Sequence, residues 1–301
     1  MQTRLCQSYY EENGYVIFRN LIPFELINNL LDLYAQQILI SKYPFFRQNT
    51  GKYELTHLNE FGYATQSFLD IHDYEKYPKF SDAAKEIFCS EKIQDALRQT
   101  TGYESFNLMQ TMLFDANTET QPHQDCWYLD TVPNGYLIGI WIALEDINEN
   151  AGRFYILPKT NKNLDFRSDK PNISVSEWLK RINEYVSMHQ QDIVAPDLKK
   201  GDVLFFNSKT IHGSLPTISS RFSRKSLTAH YIPSNYQFGN LFITKDYITY
   251  KTYKGVQFYR SKPDFSLMND LILRTKSVFY NSPILLKILR QLYSKFGRIR
   301  N

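Results

Sequence analysis

A chain of 301 residues with 43% hydrophobic and 15% aromatic content, including 22 Tyr and 21 Phe, has enough apolar surface to build a core, which excludes a disordered chain and favours strands. Its 35 basic and 31 acidic residues leave a formal charge of only +4, without the clustered basic excess of a nucleic-acid binder, so no nucleic acid is expected as a partner. Cys6, Cys89 and Cys126 show no paired spacing, which argues against a disulfide framework or structural zinc and for reduced thiols in a cytoplasmic setting.

The opening MQTRLCQSYYEENGY lacks the apolar stretch of a signal peptide, and no run of about 18 apolar residues occurs. Gly14 to Phe18 reads as a short strand. Pro23 then opens a helix through about Ile40, with Leu26, Leu30, Leu33 and Ile38 on its apolar side. After a stretch of loops, Ser81 is placed to cap a second helix to Gln99, with Ala83, Ile87, Ile93 and Leu97 on one face and Gly102 past its end. Residues 1–105 thus form an N-terminal strand and helical layer.

From Phe106 the pattern changes to short strand-like runs separated by turn residues: FNLMQTMLFDA, YLIGIWIALEDI, GRFYILP, GDVLFFN and RKSLTAHYIP. This spacing predicts a β barrel or sandwich over 106–232. A helical insertion at about 173–190 interrupts it, with Trp178, Ile182, Tyr185 and Val186 at helical period. Residues 233–301 form a C-terminal extension ending in LLKILRQLYSKFGRIR, whose Lys287, Arg290, Lys295, Arg298 and Arg300 stand without any acid. That is a basic amphipathic helix, suited to packing on the barrel or to peripheral contact with the inner membrane surface. The whole of 1–301 is read as one catalytic domain, and with no sustained heptad a monomer is expected.

In Pro122-His123-Gln124-Asp125 a histidine and a carboxylate stand two apart, so on an extended segment both project to one side and can share a metal. Alone, that tripeptide is weak. Downstream, Gly201 to Asn207 reads as a strand and leads to Ile211-His212-Gly213-Ser214, where His212 can complete a facial triad. Two histidines and one carboxylate leave three positions open, as iron(II) needs for a bidentate cosubstrate and dioxygen, whereas structural zinc is closed by four ligands. Arg224 and Ser226 share one face of the last strand, and an arginine fork matches a carboxylate; Arg221 competes for that role. Trp127 and Tyr128 are candidates for the substrate pocket, and Glu145-Asp146 reads as a solvated turn. His57, His72, His189 and His230 lack a second ligand at metal spacing and are not read as ligands.

Taken together, the HQD segment, WIALEDINENAGRFYILP, GDVLFFNSKTIHGS and RKSLTAHY resemble the phytanoyl-CoA dioxygenase family over about 106–232. The resemblance implies a mainly β fold with flanking helices around a double-stranded β-helix (jelly-roll, cupin-like) core. It implies iron(II) held by His123, Asp125 and His212, with 2-oxoglutarate and O2 as cosubstrates. Arg224, six residues before His230, is implied to bind the distal carboxylate of 2-oxoglutarate together with Ser226, and Trp141, Gln110 and Met112 to wall that pocket. The carboxylate at Asp125 points to hydroxylation, because halogenating relatives have Ala or Gly there. Lys159-Thr160-Asn161 and Asn150-Ala151-Gly152 depart from the family's loop pattern, away from the proposed ligands. The expected activity is hydroxylation of an unactivated C–H of a small metabolite or natural-product intermediate, releasing succinate and CO2. The alternatives are the same chemistry on a membrane-surface lipid or glycan, and a catalytically silent jelly-roll binding module.

Overall fold

An eight-stranded sheet with helices packed on one face organises the fold, and its central strands are buried on both sides. The computed structural model describes residues 2–48, 50–163, 173–239 and 248–259, with Leu271, Thr275, Ser282 and Ile284 beyond them. The large sheet contains β1 (Tyr15–Phe18), β2 (Phe68–Leu69), β3 (Phe106–Phe114), β4 (Ile138–Ala143), β6 (Val203–Asn207), β8 (Ser226–Pro233), β9 (Tyr250–Tyr253) and β10 (Val256–Tyr259). Their order is β1-β6-β4-β8-β3-β10-β9, with β2 also on β3. Neighbours are antiparallel except β10 beside β3. Against it lies a small sheet of β5 (Phe154–Leu157) and β7 (Ile211–Ser214), which single bridges extend, His123 on β7 and Val194 on β5. The large sheet therefore draws strands from outside 106–232.

The two-residue period of the strands separates two apolar compartments. Leu227, Ala229 and Tyr231 of β8 and Ile138, Ile140 and Ile142 of β4 face the helices and share a core with Ile27, Leu30, Phe80, Ile87, Ile93 and Leu97. Their alternates point between the sheets, where Trp141 and Ala143 pack with Leu204, Phe206, Phe154 and Ile156. The register places Thr228 opposite Met112 and Trp141, and His230 opposite Gln110 and Gly139.

The helical layer differs in three places from what periodicity suggests. Helix α1 (Gln2–Asn13) precedes the first strand. Helix α2 (Phe24–Leu33) starts after Pro23 as expected but continues from Tyr34 to Leu39 as a π-helical turn rather than as α-helix to Ile40. The single helix expected from Ser81 to Gln99 is two, α3 (Pro78–Phe88) and α4 (Glu91–Thr101). Ser90 takes extended dihedrals and its Oγ accepts from Ile93 N, so N-cap chemistry outweighs continuous periodicity, while Pro78 opens α3 and Ser81 lies buried inside it. The loops expected between them include the ribbon Phe45–Arg47 with Lys52–Glu54.

The insertion forms α5 (Val175–Met188), capped by Ser174 Oγ accepting from Glu177 N. Trp178 is buried and stacks on Trp127 at 4.6 Å, in a cluster with Leu157, Ile182 and Ile211 that anchors the helix beside the start of β7. Trp178→Ala is expected to lower unfolding free energy by about 3–5 kcal/mol in denaturant titration, because the cavity left behind cannot collapse against the sheet. The basic segment 285–301 lies outside the described residues. No described helix is long and apolar enough to cross a membrane.

Candidate metal centre

His123 and His212 sit directly opposite one another and exchange both main-chain hydrogen bonds, each N–H reaching the other's carbonyl at 3.0 Å. That pairing sends both rings to one side, with centroids 4.3 Å apart. Asp125, two residues on, opens a short 3-10 turn to Trp127, and its Oδ1 lies 3.3 Å from His123 Nε2 and 3.5 Å from His212 Nε2. The three ligand atoms lie within 4.8 Å of one another. Adjacent ligands about 2.1 Å from an octahedral ion stand about 3.0 Å apart, so small adjustments close the set around a metal.

Each ligand is oriented from behind. His123 Nδ1 donates to Gln121 O at 2.8 Å and His212 Nδ1 to Thr210 O at 3.0 Å. A carbonyl oxygen only accepts, so both Nδ1 atoms carry a proton, and Nε2 is the nitrogen each neutral ring offers to a metal. Asp125 Oδ2 accepts from His230 Nε2 at 3.0 Å. Burial alone would raise the Asp125 carboxyl, but the imidazoles of His212 and His230 outweigh it and hold the group well below its usual range. Burial lowers His212 to about 4, so it is neutral and ready to ligate. At His123 burial also pulls downward, but the neighbouring Asp125 carboxylate outweighs it and raises the pKa.

The second feature is an unpaired cation. On β8 and just before it, Arg224, Ser226, Thr228 and His230 alternate toward the space between the sheets. Arg224 is 2% exposed; its Nη1 donates to Ser214 Oγ at 2.8 Å and Gly152 O at 3.2 Å, and Nε has no partner. Among the described residues no carboxylate pairs with it, and burial lowers the guanidinium to about 10. A buried charge in that state is costly until an anion meets it. Ser226 Oγ and Thr228 Oγ1 are likewise buried without partners. Arg221, the competing arginine, is exposed and lies over Phe222 at 5.0 Å.

A cavity of about 320 Å³ contains both features, lined by His123, Asp125 and His212 and by Arg224. Gln110, Met112, Trp141 and Tyr128 line it too. Ser226 and Trp127 do not: Ser226 lies fully buried beside the lining, and Trp127 packs into the α5 cluster. Sequence reasoning assigns no role here to Ser214 or His230, which the structure brings to the site. Ser214 carries a signal, standing two residues past His212 on the same strand. Gly139, opposite His230, makes room for Phe206: a Cβ there would come within 2.2 Å of that ring, which itself stands 4.4 Å from the His212 ring.

The family model described as phytanoyl-CoA dioxygenase (PhyH) matches residues 10–226. The chain belongs to the phytanoyl-CoA dioxygenase family. A probable phytanoyl-CoA dioxygenase of Caenorhabditis elegans is 25% identical over 251 residues, covering 74% of this chain and 73% of that protein. By fold, the chain is similar to the epimerase SnoN in complex with Fe3+, alpha ketoglutarate and nogalamycin RO, with a TM-score of 0.58 and 16% identity over 80% of this chain and 87% of SnoN. It is also similar to EctD from S. alaskensis with 2-oxoglutarate and 5-hydroxyectoine, with a TM-score of 0.55 and 16% identity over 79% and 78% of the two chains. The jelly-roll core is the fold of these relatives, and this member of the family is an enzyme of the iron(II)- and 2-oxoglutarate-dependent oxygenase class.

Proposed function

We propose that this protein hydroxylates an unactivated C–H bond of a small, neutral metabolite or natural-product intermediate, acting as a monomer with iron(II), 2-oxoglutarate and O2. One observation carries the reading: a single cavity combines a two-histidine, one-carboxylate set with a buried guanidinium that has no acid of its own. His123, Asp125 and His212 would hold iron(II) with two imidazoles and one carboxylate, a donor set that leaves room for the keto acid and dioxygen. Arg224, already on Ser214, would receive the distal carboxylate, with the hydroxyl of Thr228, which also lines the cavity, alongside. Iron(II), 2-oxoglutarate and dioxygen supply the oxidising power, and succinate and carbon dioxide leave as the substrate gains its hydroxyl.

The rest of the cavity argues for the substrate. Gln48, Thr118, Thr120 and Gln121 give it neutral hydrogen-bonding groups, and Met112 and Leu179 give it apolar walls. Among the described residues no lysine, and no arginine besides Arg224, lines it, so nothing there favours a phosphate-bearing substrate. A cavity of about 320 Å³ suits a compact molecule. The presence of 5-hydroxyectoine, a hydroxylated molecule, with 2-oxoglutarate in EctD supports the hydroxylation reading. Free cysteines at 6, 89 and 126 accord with a reducing, cytoplasmic compartment.

The test is anaerobic titration of metal-free protein with iron(II) and then 2-oxoglutarate, followed by a screen for substrate-stimulated succinate release. A weak visible charge-transfer band on adding 2-oxoglutarate is the expected result. A chain that binds neither would instead be a silent binding module.

A further inference from the structure

His230 is 4% exposed, comes from a strand far along the chain from Asp125, and places Nε2 3.0 Å from Asp125 Oδ2. A carboxylate oxygen accepts, so Nε2 carries a proton, while Nδ1 is buried and has no partner. The other carboxylate oxygen, Oδ1, is the one facing the nitrogens of His123 and His212. The two oxygens of Asp125 are thus divided between different tasks. Backbone carbonyls fix the two histidine ligands, but the carboxylate ligand has only a side chain behind it.

Resting on the iron assignment above, we infer that His230 is a positioning residue that keeps Asp125 a one-oxygen ligand. Without its N–H the carboxylate is free to rotate about its last torsion and offer both oxygens to the metal. A two-oxygen carboxylate occupies one of the three positions that the keto acid and dioxygen require. Holding Oδ2 back therefore affects how tightly the metal is bound and how many positions stay open. The strand register makes His230 suited to this: it lies between Gln110 and Gly139 and alternates with Thr228 and Ser226 toward the space between the sheets, where its ring meets Asp125.

The experiment uses the full chain and measures iron(II) affinity by anaerobic competition with a chelator, with the melting temperature of the metal-free protein as a folding control. His230→Leu removes the donor and is expected to weaken iron(II) binding by about 10- to 100-fold, the usual cost of losing an outer partner of a ligand. It is also expected to shift the visible band formed with 2-oxoglutarate. His230→Gln can present an N–H at nearly the same place and is expected to restore affinity to within about threefold of the unmodified chain. If His230→Leu does not fold, His230→Asn replaces it: its shorter amide does not reach Oδ2, and the same loss is expected. Unchanged affinity in the variant lacking the donor overturns the inference, as does a Gln variant no better than it. An unmodified chain that takes up no iron(II) overturns the metal assignment itself, an outcome separable from failure at His230.

Discussion

Asp125→Ala loses iron(II) affinity by more than about 100-fold, beyond the range seen for outer partners, and turnover of 2-oxoglutarate falls with it. Asp125 supplies the only negative charge among the three ligand atoms, and two neutral imidazoles cannot offset a divalent ion in so enclosed a site. The alanine also leaves His230 Nε2 without its acceptor. Asp125→Asn separates charge from shape, because the amide keeps an oxygen in reach but brings no charge. It should retain more affinity than alanine and far less than the native residue. Anaerobic metal titration reads all three proteins, and an alanine variant that binds iron and turns over normally would remove Asp125 from the ligand set.

Arg224→Ala raises the concentration of 2-oxoglutarate needed for half-saturation by about 30-fold or more, equivalent to at least ~2 kcal/mol for one half of a buried charge pair. Iron(II) binding without the keto acid stays near its native value, because the guanidinium contacts Ser214 and Gly152 rather than any ligand atom. Arg224→Lys keeps the charge but loses the planar fork, and falls between the two. Arg221→Ala serves as the matched control: its side chain is exposed and outside the cavity, so 2-oxoglutarate affinity should not move. The reverse pattern would place the cosubstrate's carboxylate at Arg221. The alanine variant also has a stability signature. At a fixed 2-oxoglutarate concentration that saturates the iron-loaded native protein, the rise in melting temperature should be clearly smaller for the variant than for the native protein.

Much of the site is legible in the amino-acid sequence because its parts are local. The two-residue step from His123 to Asp125, the strand that leads to the His212 segment and the face shared by Arg224 and Ser226 are all properties of a few neighbouring residues. The insertion helix is equally visible, since Ser174 caps it and Trp178, Ile182 and Val186 recur at helical spacing. The parts that are not legible depend on contacts between distant segments or on competition between local signals. His230 lacks a carboxylate nearby in the sequence, and its partner stands 105 residues away. Trp127 and Tyr128 look equivalent as neighbours, yet the 3-10 turn after Asp125 breaks strand alternation, burying one against Trp178 and leaving the other at the cavity beside His123. At Ser90 a capping hydroxyl overrides an unbroken apolar period, and at Tyr34 helix α2 shifts to π geometry, which residue spacing does not encode.

The reciprocal main-chain bonds between His123 and His212 make the spacing of two ligands a property of the backbone rather than of the side chains around them. For engineering, the metal centre and the chamber that selects its substrate are therefore separable modules. Gln48, Thr118 and Leu179 lie on other elements of the cavity wall and take no part in that pairing, so they can be exchanged in combination to admit new molecules. A one-residue deletion between Asn207 and His212 is the opposite case: it leaves every side chain of the chamber intact, yet slips the register of β7 and turns the second histidine away from the first.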